Sequence, residues 1–494
     1  MAYALGNTLI TSAYTVANNM PNVIYDLVAG GMLGAAFIPV YLLQKERAGQ
    51  EGGNLFANSI VNLAAIVLGI ISIVAAIFAP QVIATQTFTV GNAAEVSTQA
   101  VFFFRIFAIQ LLFYGIGGVI NGILNAERVY FLPALAPALN NVVVIISFLA
   151  YLPLSRTDAS LANTILAVGT SLGVAVQTFI QIPALKKTGY RWRATIDLHD
   201  PALIEALKIA IPTAIYIVGS LVAFSCRNAF SLWSGDEGPS VLVYAWMWFQ
   251  LPYGVLAVSL SRTMFTEMSV DAAREDNAAL RTHITSGINV TLLLIIPLAA
   301  LMGAFSESIM QLFQAGRFNG DDVVQVARVL TLWVVGLPFY SIWMYLYNVF
   351  AALRKFFRFA LLNCAFVVLQ CALYAVLCPV GVLGLDGVPV ADVIFYALGC
   401  IATLIMLTRM IGSLKLGGTV WRAVRILLAS AVGVALAWAL QHFLPLGTGG
   451  MVQGILQLIL YGSVSLVVIY LVCWALRLPE MDKVISLAKR LVRR

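Results

Sequence analysis

The amino-acid sequence predicts an all-α protein that crosses a membrane about thirteen times. First, 61% of the 494 residues are hydrophobic and only 10% are charged, whereas a soluble domain carries about 25% charged residues. Second, apolar runs long enough to span a bilayer follow one another along the chain. Third, lysines and arginines are dense in every second loop between these runs, which is typical of a multi-span membrane protein.

The apolar runs define the individual elements. A spanning helix needs about 20 apolar residues, and thirteen stretches meet this requirement. They are 8–43, 53–79, 100–124, 132–152, 161–183, 203–232, 240–268, 284–305, 323–352, 359–378, 387–408, 423–441 and 452–475. The first stretch is long and contains Pro21 and the pair Gly30-Gly31, so we expect it to be kinked or broken.

The charged loops predict the orientation of the chain. If the basic loops are cytoplasmic, the cytoplasmic side holds 22 lysines and arginines, and the other side holds two, Arg156 and Arg317. The carboxyl terminus is then cytoplasmic and Met1 lies outside. No translocation signal precedes the first run. We therefore expect the natural protein to begin with a further helix, absent from this sequence, and to have fourteen spans.

Two pairs of segments recur along the chain and predict two related halves. Residues 19–22 and 250–253 each open a long helical run that ends at a basic loop, and residues 126–131 and 352–357 each join two spans on the same side. Repeats on the same side of the membrane imply parallel halves. The predicted domains are an N-terminal lobe (1–200), a C-terminal lobe (201–415), two additional helices (416–478) and a basic cytoplasmic tail (479–494).

Four sequence stretches carry a family resemblance. Pro21-Asn22 with GGMLGAAFIPV at 30–40 resembles the PN…EGAFSxAFVPV signature of the MurJ/MviN family, and ILNAERVYFLPALAPALN at 123–140 is similar to its ILN…F…PAxAPxxxN segment. LPYGVL at 251–256 resembles FPxGVL, and LFQAGRF at 312–318 resembles LFQxGxF. The four matches come in family order, and the later spans match only in number and hydropathy.

This resemblance implies a fold and an activity. The family belongs to the MOP transporter superfamily, with two six-helix lobes and two extra helices. The implied activity is a flippase that moves lipid II, the undecaprenyl-pyrophosphate-linked peptidoglycan precursor, from the inner to the outer leaflet of the bacterial cytoplasmic membrane by alternating access. The implied partners are this precursor, the lipid bilayer and cell-wall synthesis proteins.

The sequence departs from the family pattern at charged positions. Where the family carries an arginine pair after PN, this chain has Tyr25 and Asp26, and Gly30 replaces an acidic residue. Met247 stands at the position of another arginine, and Gln250 at the position of a glutamate. The family arginines are thought to hold the pyrophosphate, so these departures bear on how the head group is bound.

Ionisable residues inside spans are costly and mark candidate sites. Asp26, Arg227 and Arg262 lie deepest, and arginine suits a pyrophosphate because its planar fork donates several hydrogen bonds. Arg262, towards the cytoplasmic side, would receive the substrate, and Arg227, towards the outer side, would release it. A structural pairing of Arg262 with Asp26 or Glu267 is an equally good interpretation. Asp392 is expected near an outer helix end.

Uncharged polar residues complete the candidate substrate site. Asn18 and Asn22 share a helix face beside Pro21 and would donate to sugar or phosphate oxygens, or else bond across helices. Gln250 joins them because of its place in the motif. The aromatic run between 246 and 253 is more typical of an interfacial belt than of a sugar-binding platform.

Other functional classes are weaker interpretations. A flippase for another polyprenyl-linked glycan and a transport-silent scaffold of a cell-wall synthesis complex remain open. A membrane glycosyltransferase lacks a sizeable loop with clustered carboxylates, so we expect no enzyme. The six cysteines form no CxxC pair and the three histidines are far apart, so no metal or other cofactor is predicted. The net charge of +7 reflects the basic loops rather than nucleic-acid binding.

Overall fold

The computed structural model describes residues 1–26, 37–89, 94–196, 201–444 and 450–481. Within these ranges, the side chains of Ala94, 201–210, Pro212, Ser259, Arg262 and Thr263 are not described. Two sequence predictions fall outside the described residues, namely the break at Gly30-Gly31 and most of the basic tail. The described secondary structure is entirely helical, which confirms the predicted fold class.

Residue contacts divide the chain into two compact units, residues 3–240 and 241–494. Ten of the described helices form the first unit. They are α1 (Ala2–Leu5), α2 (Leu9–Tyr25), α3 (Phe37–Ile77), α4 (Ala79–Thr87), α5 (Ala94–Phe107), α6 (Gln110–Ala126), α7 (Phe131–Leu154), α8 (Ala159–Phe179), α9 (Ile182–Lys187) and α10 (Pro201–Ser231). The most extensive helix pairs in this unit are α7 with α8, α3 with α6, and α2 with α5.

Eleven of the described helices lie in the second unit, whose boundary falls in the first turn of α11. They are α11 (Gly238–Pro252), α12 (Val258–Ala273), α13 (Asn277–Ala304), α14 (Ser306–Gln311), α15 (Gly320–Val334), α16 (Leu337–Ala352), α17 (Phe356–Leu377), α18 (Gly387–Ile411), α19 (Gly417–Phe443), α20 (Met451–Gln457) and α21 (Ser463–Ala475). Short π-helical segments, Tyr253–Ala257 and Leu458–Gly462, join α11 to α12 and α20 to α21.

The helices match the predicted spans closely. Among the described residues, 10 helices are long and apolar enough to cross a membrane, and the number rises to 12 if each of two bent pairs is one span. These helices and bent pairs overlap the twelve predicted runs from 53–79 to 452–475. The remaining run, 8–43, contains the 17-residue α2, then residues 27–36, which are not described, then the start of α3.

The predicted basic loop after the first run is a break inside α3. Ala48 has φ −130° and ψ 22°, and Gly49 has φ +66° and ψ −165°, so two helical pieces meet there at an angle. A left-handed φ suits glycine because it has no Cβ, and a Cβ at Gly49 would meet no atom within 4 Å. The break therefore rests on backbone freedom at Gly49.

The two bent pairs are α5 with α6, at 45°, and α15 with α16, at 55°. Bending exposes backbone carbonyls that a continuous helix would use, and inside a membrane they need other donors. At the first bend Ser72 Oγ donates to the Ala108 carbonyl at 2.7 Å, and Ser171 Oγ donates to the Ile106 carbonyl at 3.2 Å. Hydroxyls from neighbouring helices thus stabilise the bend.

The turns at the ends of α6 and α16, where the sequence predicts a repeat, have the same backbone geometry. Arg128 has φ +59° and Arg354 has φ +54°. The amide of Val129 donates to the Leu124 carbonyl at 2.8 Å, and, 226 residues later, the amide of Lys355 donates to the Phe350 carbonyl at 3.0 Å. Both are Schellman turns, in which a left-handed residue closes the helix. The same turn also closes α12 at Glu275 and α21 at Arg477, so this geometry is common to several helix ends and does not by itself identify a repeat.

A segment that we name the strap, residues 188–196, runs along α3. Three asparagines of α3, each four residues apart, donate to carbonyls of the strap. Asn54 Nδ2 donates to Gly189 at 3.3 Å, Asn58 Nδ2 to Arg191 at 3.0 Å, and Asn62 Nδ2 to Arg193 at 2.7 Å and to Thr195 at 2.9 Å. Four residues of a helix rise about 6 Å, and two residues of an extended chain cover about 6.6 Å. Because these two lengths are close, each successive asparagine of α3 meets the carbonyl of every second strap residue.

Side chains of the strap return hydrogen bonds to the same asparagines. The Tyr190 hydroxyl donates to Asn58 Oδ1 at 2.6 Å, and Trp192 Nε1 donates to Asn62 Oδ1 at 3.0 Å. Burial raises the pKa of Tyr190 to about 12, so the hydroxyl keeps its proton at neutral pH. Each of these two asparagine amides therefore uses both its donor and its acceptor on the strap.

We expect Asn58→Ala to release the strap. The substitution leaves the buried Tyr190 hydroxyl without its acceptor, which costs about 1–3 kcal/mol, and removes the donor to the part-buried Arg191 carbonyl. Trypsin should then cleave the native protein after Arg191 faster than it cleaves the wild type. Asn62→Ala is the matched control, since its hydrogen bonds are exposed and water replaces them. Equal cleavage of both variants would contradict this view of Asn58.

Candidate functional site

The end of α2 carries three of the predicted site residues. Asn22 Nδ2 donates to the Asn18 carbonyl at 3.3 Å, which confirms that the two asparagines lie on one helix face. Both are half-buried, and Asp26, which follows the last residue of α2, is exposed. The Asn22 amide thus has one local partner and lies one turn before a carboxylate.

Tyr114 of α6 faces this end of α2. Its ring centroid is 5.8 Å from that of Tyr25, and its hydroxyl interacts with the Asn22 side chain. The sequence prediction missed Tyr114, because nothing in the apolar run 100–124 connects a tyrosine there with a residue 92 positions earlier. The candidate site therefore contains a polar group at the end of α2, made of Asn22, Asp26 and Tyr114.

Arg227 lies on α10, a different helix of the same unit. Ser225 and Asn228 of the same helix face α4, where the Gln86 amide donates to Ser225 Oγ and the Asn228 amide donates to Gln86 Oε1 at 2.9 Å. Arg227 lies on another side of α10, with its guanidinium carbon 5.2 Å from the Phe224 ring centroid. It is half-buried, and a cation over an aromatic ring is stabilised by the ring's quadrupole.

The remaining predicted residues belong to the second unit. Gln250 lies near the end of α11 and is exposed. The LPYGVL motif coincides with the π-helical segment Tyr253–Ala257, which follows Pro252. π-helical turns often occur at functional positions. Arg262 lies on α12, and its side chain is outside the described residues.

The aromatic run before this motif packs inside the second unit. The Trp246 and Phe249 rings stack with centroids 4.9 Å apart, and Trp246 lies 5.1 Å from Trp333 of α15. Tyr253 meets Tyr340 of α16 at 5.1 Å. The expected interfacial belt is therefore wrong for Phe249, which is completely buried, because α15 and α16 cover it.

A buried carboxylate forms a second polar group in this unit. Asp392 of α18 is 1% exposed. Trp333 Nε1 donates to its Oδ2 at 2.8 Å, Gln370 Nε2 donates to its Oδ1 at 2.6 Å, and the Tyr374 hydroxyl also donates to Oδ1. These three donors from α15 and α17 satisfy a charge that would otherwise be costly to bury. Asp392 thus has a structural role: its hydrogen bonds join α18 to α15 and α17.

The structure groups some predicted site residues and separates others. Asn18, Asn22 and Asp26 share the end of α2, Arg227 lies on a different helix of the same unit, and Gln250 and Arg262 flank the π-helical segment of the other unit. In the part of the chain that is described, no three histidine, cysteine, aspartate or glutamate side chains could hold a metal ion together.

Known proteins resemble the chain over most of its length. The family model described as lipid II flippase MurJ matches residues 1–457. A probable lipid II flippase of Rhizobium meliloti is 29% identical over 343 residues, which are 68% of this chain and 63% of that protein. The chain therefore aligns with less than two thirds of that relative's length. A probable lipid II flippase of Synechocystis is 25% identical, with 98% of this chain and 91% of the relative covered.

Solved structures agree with the fold. A lipid II flippase in an inward closed conformation superposes with a TM-score of 0.75 at 20% identity, covering 95% of this chain and 93% of that one. A multidrug resistance MATE transporter of the MOP superfamily, in an inward-facing conformation, gives a TM-score of 0.68 at 17% identity and covers 83% and 94% of the two chains. With most of its residues matched by the family model, this chain belongs to the MurJ family of multi-pass membrane transporters.

Proposed function

We propose that this protein is a flippase that moves lipid II from the inner to the outer leaflet of the bacterial cytoplasmic membrane. The observation that carries the proposal is the family match over residues 1–457. The apolar helices supply the membrane-embedded frame that such a transporter needs. Transport by alternating access, with the two units as lobes, follows the pattern of transporters built from repeats.

The head group of the substrate requires positive charge and hydrogen-bond donors. Arg227 and Arg262 are the proposed phosphate-binding residues, since an arginine fork donates several hydrogen bonds to one phosphate. Asn18, Asn22 and Gln250 are proposed donors to sugar or phosphate oxygens. Asp26 is proposed to limit the local positive charge, so that the head group binds reversibly.

The orientation of the chain is proposed from its basic loops. Lysines and arginines between spans favour the cytoplasmic side, which places the carboxyl terminus in the cytoplasm. Cell-wall synthesis proteins that make or consume lipid II are the proposed protein partners, because the substrate connects their activities.

A second candidate substrate is another polyprenyl-linked glycan. The observation that favours it is the end of α2, where the family's arginine pair is replaced by Tyr25, which packs against Tyr114, and by the exposed Asp26. A less positive site suits a head group with fewer phosphate charges. A scaffold without transport activity would tolerate the same replacements.

Complementation tests the proposal directly. A bacterium would be depleted of its resident lipid II flippase while expressing this chain, both as the 494 residues and preceded by any in-frame codons of its gene. We expect growth and outer-leaflet lipid II to be restored by at least one form. The resident flippase supplied from the same promoter is the positive control.

Two outcomes would contradict the lipid II proposal. If both forms reach the membrane and neither restores outer-leaflet lipid II, a different substrate is indicated. If neither restores lipid II but one restores export of another polyprenyl-linked glycan in a matching depletion strain, the second candidate takes its place.

A further inference from the structure

A basic cavity of about 710 Å³ lies in the second unit, and the described residues that line it include none of those assigned above to transport. Its wall is formed by the first turns of α13 and α19, by the α18–α19 loop and by the chain after α21. The charged side chains that line it are Arg281, Lys415, Arg422 and Glu480. Among the described lining residues, three positive charges and one negative charge leave a net charge of +2, which favours an anion.

Two of the three cationic side chains are held in place, Arg281 by the backbone and Arg422 by a carboxylate. Arg281 Nε donates to the Asn277 carbonyl at 3.0 Å, and its guanidinium lies beside Gly412, where a Cβ would be 2.7 Å from Nη1. Arg422 Nη1 donates to Glu480 Oε1 at 2.7 Å. Lys415 is exposed at the rim. Positioned charges of this kind bind an anion with little loss of side-chain freedom.

Two buried polar atoms in the wall need a partner. Asn289 is 3% exposed and Thr419 is 7% exposed, and in the described part of the chain neither Asn289 Oδ1 nor Thr419 Oγ1 has a hydrogen-bond partner. Buried polar groups are nearly always hydrogen-bonded. Both residues line the cavity, and a Thr419 hydroxyl that rotates towards it can donate to a phosphate oxygen.

The amino terminus of α19 adds backbone donors to the same wall. The 27-residue helix begins at Gly417 with no side-chain cap, and Gly418 and Thr419 line the cavity. The first amides of a helix point away from it and, with the helix dipole, favour an anion. A Cβ at Gly418 would meet no atom within 4 Å, so the cavity is open at this amide.

The outer side of α19 is apolar immediately beyond the cavity. Val420, Trp421 and Leu428 are 61%, 56% and 61% exposed, as expected for a helix that faces lipid. A ligand that fits both features has a phosphate and hydroxyls at one end and acyl chains at the other. We propose that this cavity binds the head group of an anionic phospholipid such as phosphatidylglycerol, with its acyl chains along α19.

The proposal is tested by binding to the purified full-length chain in detergent, with native mass spectrometry as the readout. The probes are phosphatidylglycerol and phosphatidylcholine with identical acyl chains, inorganic phosphate, and undecaprenyl pyrophosphate. We expect the wild type to retain phosphatidylglycerol in preference to phosphatidylcholine. Loss of one basic residue near a lipid head group weakens binding about fivefold, so Lys415→Gln should weaken phosphatidylglycerol binding by that factor.

Two further variants make the test specific. Gly418→Leu should abolish the preference, because the new side chain enters the cavity without displacing protein atoms. Arg425→Gln is the matched control: it removes a positive charge from the same helix, but Arg425 lies over the Trp421 ring, 5.2 Å from its centroid, and does not line the cavity. All variants should unfold at the wild-type temperature without added lipid, which separates binding from folding.

Three results would overturn the proposal. One is equal phosphatidylglycerol binding by the wild type, Lys415→Gln and Gly418→Leu. Another is displacement of phosphatidylglycerol by millimolar inorganic phosphate, which would identify a site for soluble phosphate. The third is a preference for undecaprenyl pyrophosphate that Gly418→Leu removes, which would make the cavity part of the transport path.

Discussion

Replacing Asp392 by alanine is expected to destabilise the second unit strongly. The carboxylate is completely buried and accepts hydrogen bonds from Trp333, Gln370 and Tyr374. Alanine removes the acceptor that these donors share at the meeting point of α15, α17 and α18, although the Gln370 amide keeps the Tyr374 hydroxyl as a partner. A buried donor that loses its acceptor costs about 1–3 kcal/mol, so the temperature of thermal unfolding in detergent should fall clearly below that of the wild type.

Asp386 provides the matched control for this experiment. It pairs with Arg328, and the two side chains are 13% and 72% exposed respectively; the arginine stays hydrated when the pair is lost, and a pair with an exposed partner contributes about 1 kcal/mol or less. Asp386→Ala should therefore change the unfolding temperature little. Asp392→Asn, which keeps one acceptor oxygen, should fall between the two. Equal unfolding temperatures for the Asp392→Ala and Asp386→Ala variants would show that the buried network contributes no special stability.

Replacing Arg262 by alanine is expected to abolish transport while leaving membrane insertion intact. Arg262 lies on α12, just beyond the apolar span Gly238–Ala257, where an arginine fork can donate several hydrogen bonds to one phosphate. In the proposed mechanism it binds the pyrophosphate of lipid II on the cytoplasmic side. Lysine keeps the charge but lacks the planar fork, so Arg262→Lys should retain part of the activity. The measurement is outer-leaflet lipid II in the depletion strain, normalised to the amount of protein in the membrane.

Arg274 is the control on the same helix. It is the exposed residue that closes α12, and Arg274→Ala should transport at the wild-type rate. Transport by the Arg262→Ala variant at normal membrane levels would rule out the binding role and favour a structural pairing instead. Arg227→Ala should also lose transport if the two arginines act at successive stages.

The sequence predicted the spans well because a membrane imposes one simple requirement on composition. A helix in lipid must be apolar over its length, and every predicted run from 53–79 onwards corresponds to a helix or a bent pair. Only one of the two bends has a signal in the sequence. Gly336 and Pro338 give a visible signal between α15 and α16, but Ala108 and Ile109, between α5 and α6, give none. That bend depends on Ser72 and Ser171 from other helices, which no local pattern reveals.

The candidate site was predicted in part. The shared face of Asn18 and Asn22 follows from helical spacing and is confirmed. The partners of polar residues could not be predicted, because they come from distant parts of the chain. Asp392, for example, accepts from residues 18, 22 and 59 positions away. One overlooked signal was the series Asn54, Asn58 and Asn62, whose four-residue spacing places three amides on one face of an otherwise apolar helix.

The strap has a consequence for how this protein tolerates variation and engineering. The side-chain amides of three asparagines of α3 donate to the backbone carbonyls of alternate strap residues. Every residue type has such a carbonyl. Exposed positions such as Arg193 can therefore be substituted without loss of these bonds. A one-residue insertion or deletion between Gly189 and Arg193, however, would shift the carbonyls out of register with Asn54, Asn58 and Asn62. Between these two residues, the length of the chain is therefore constrained by its backbone as well as by the Tyr190 and Trp192 side chains, and an inserted tag or epitope belongs elsewhere.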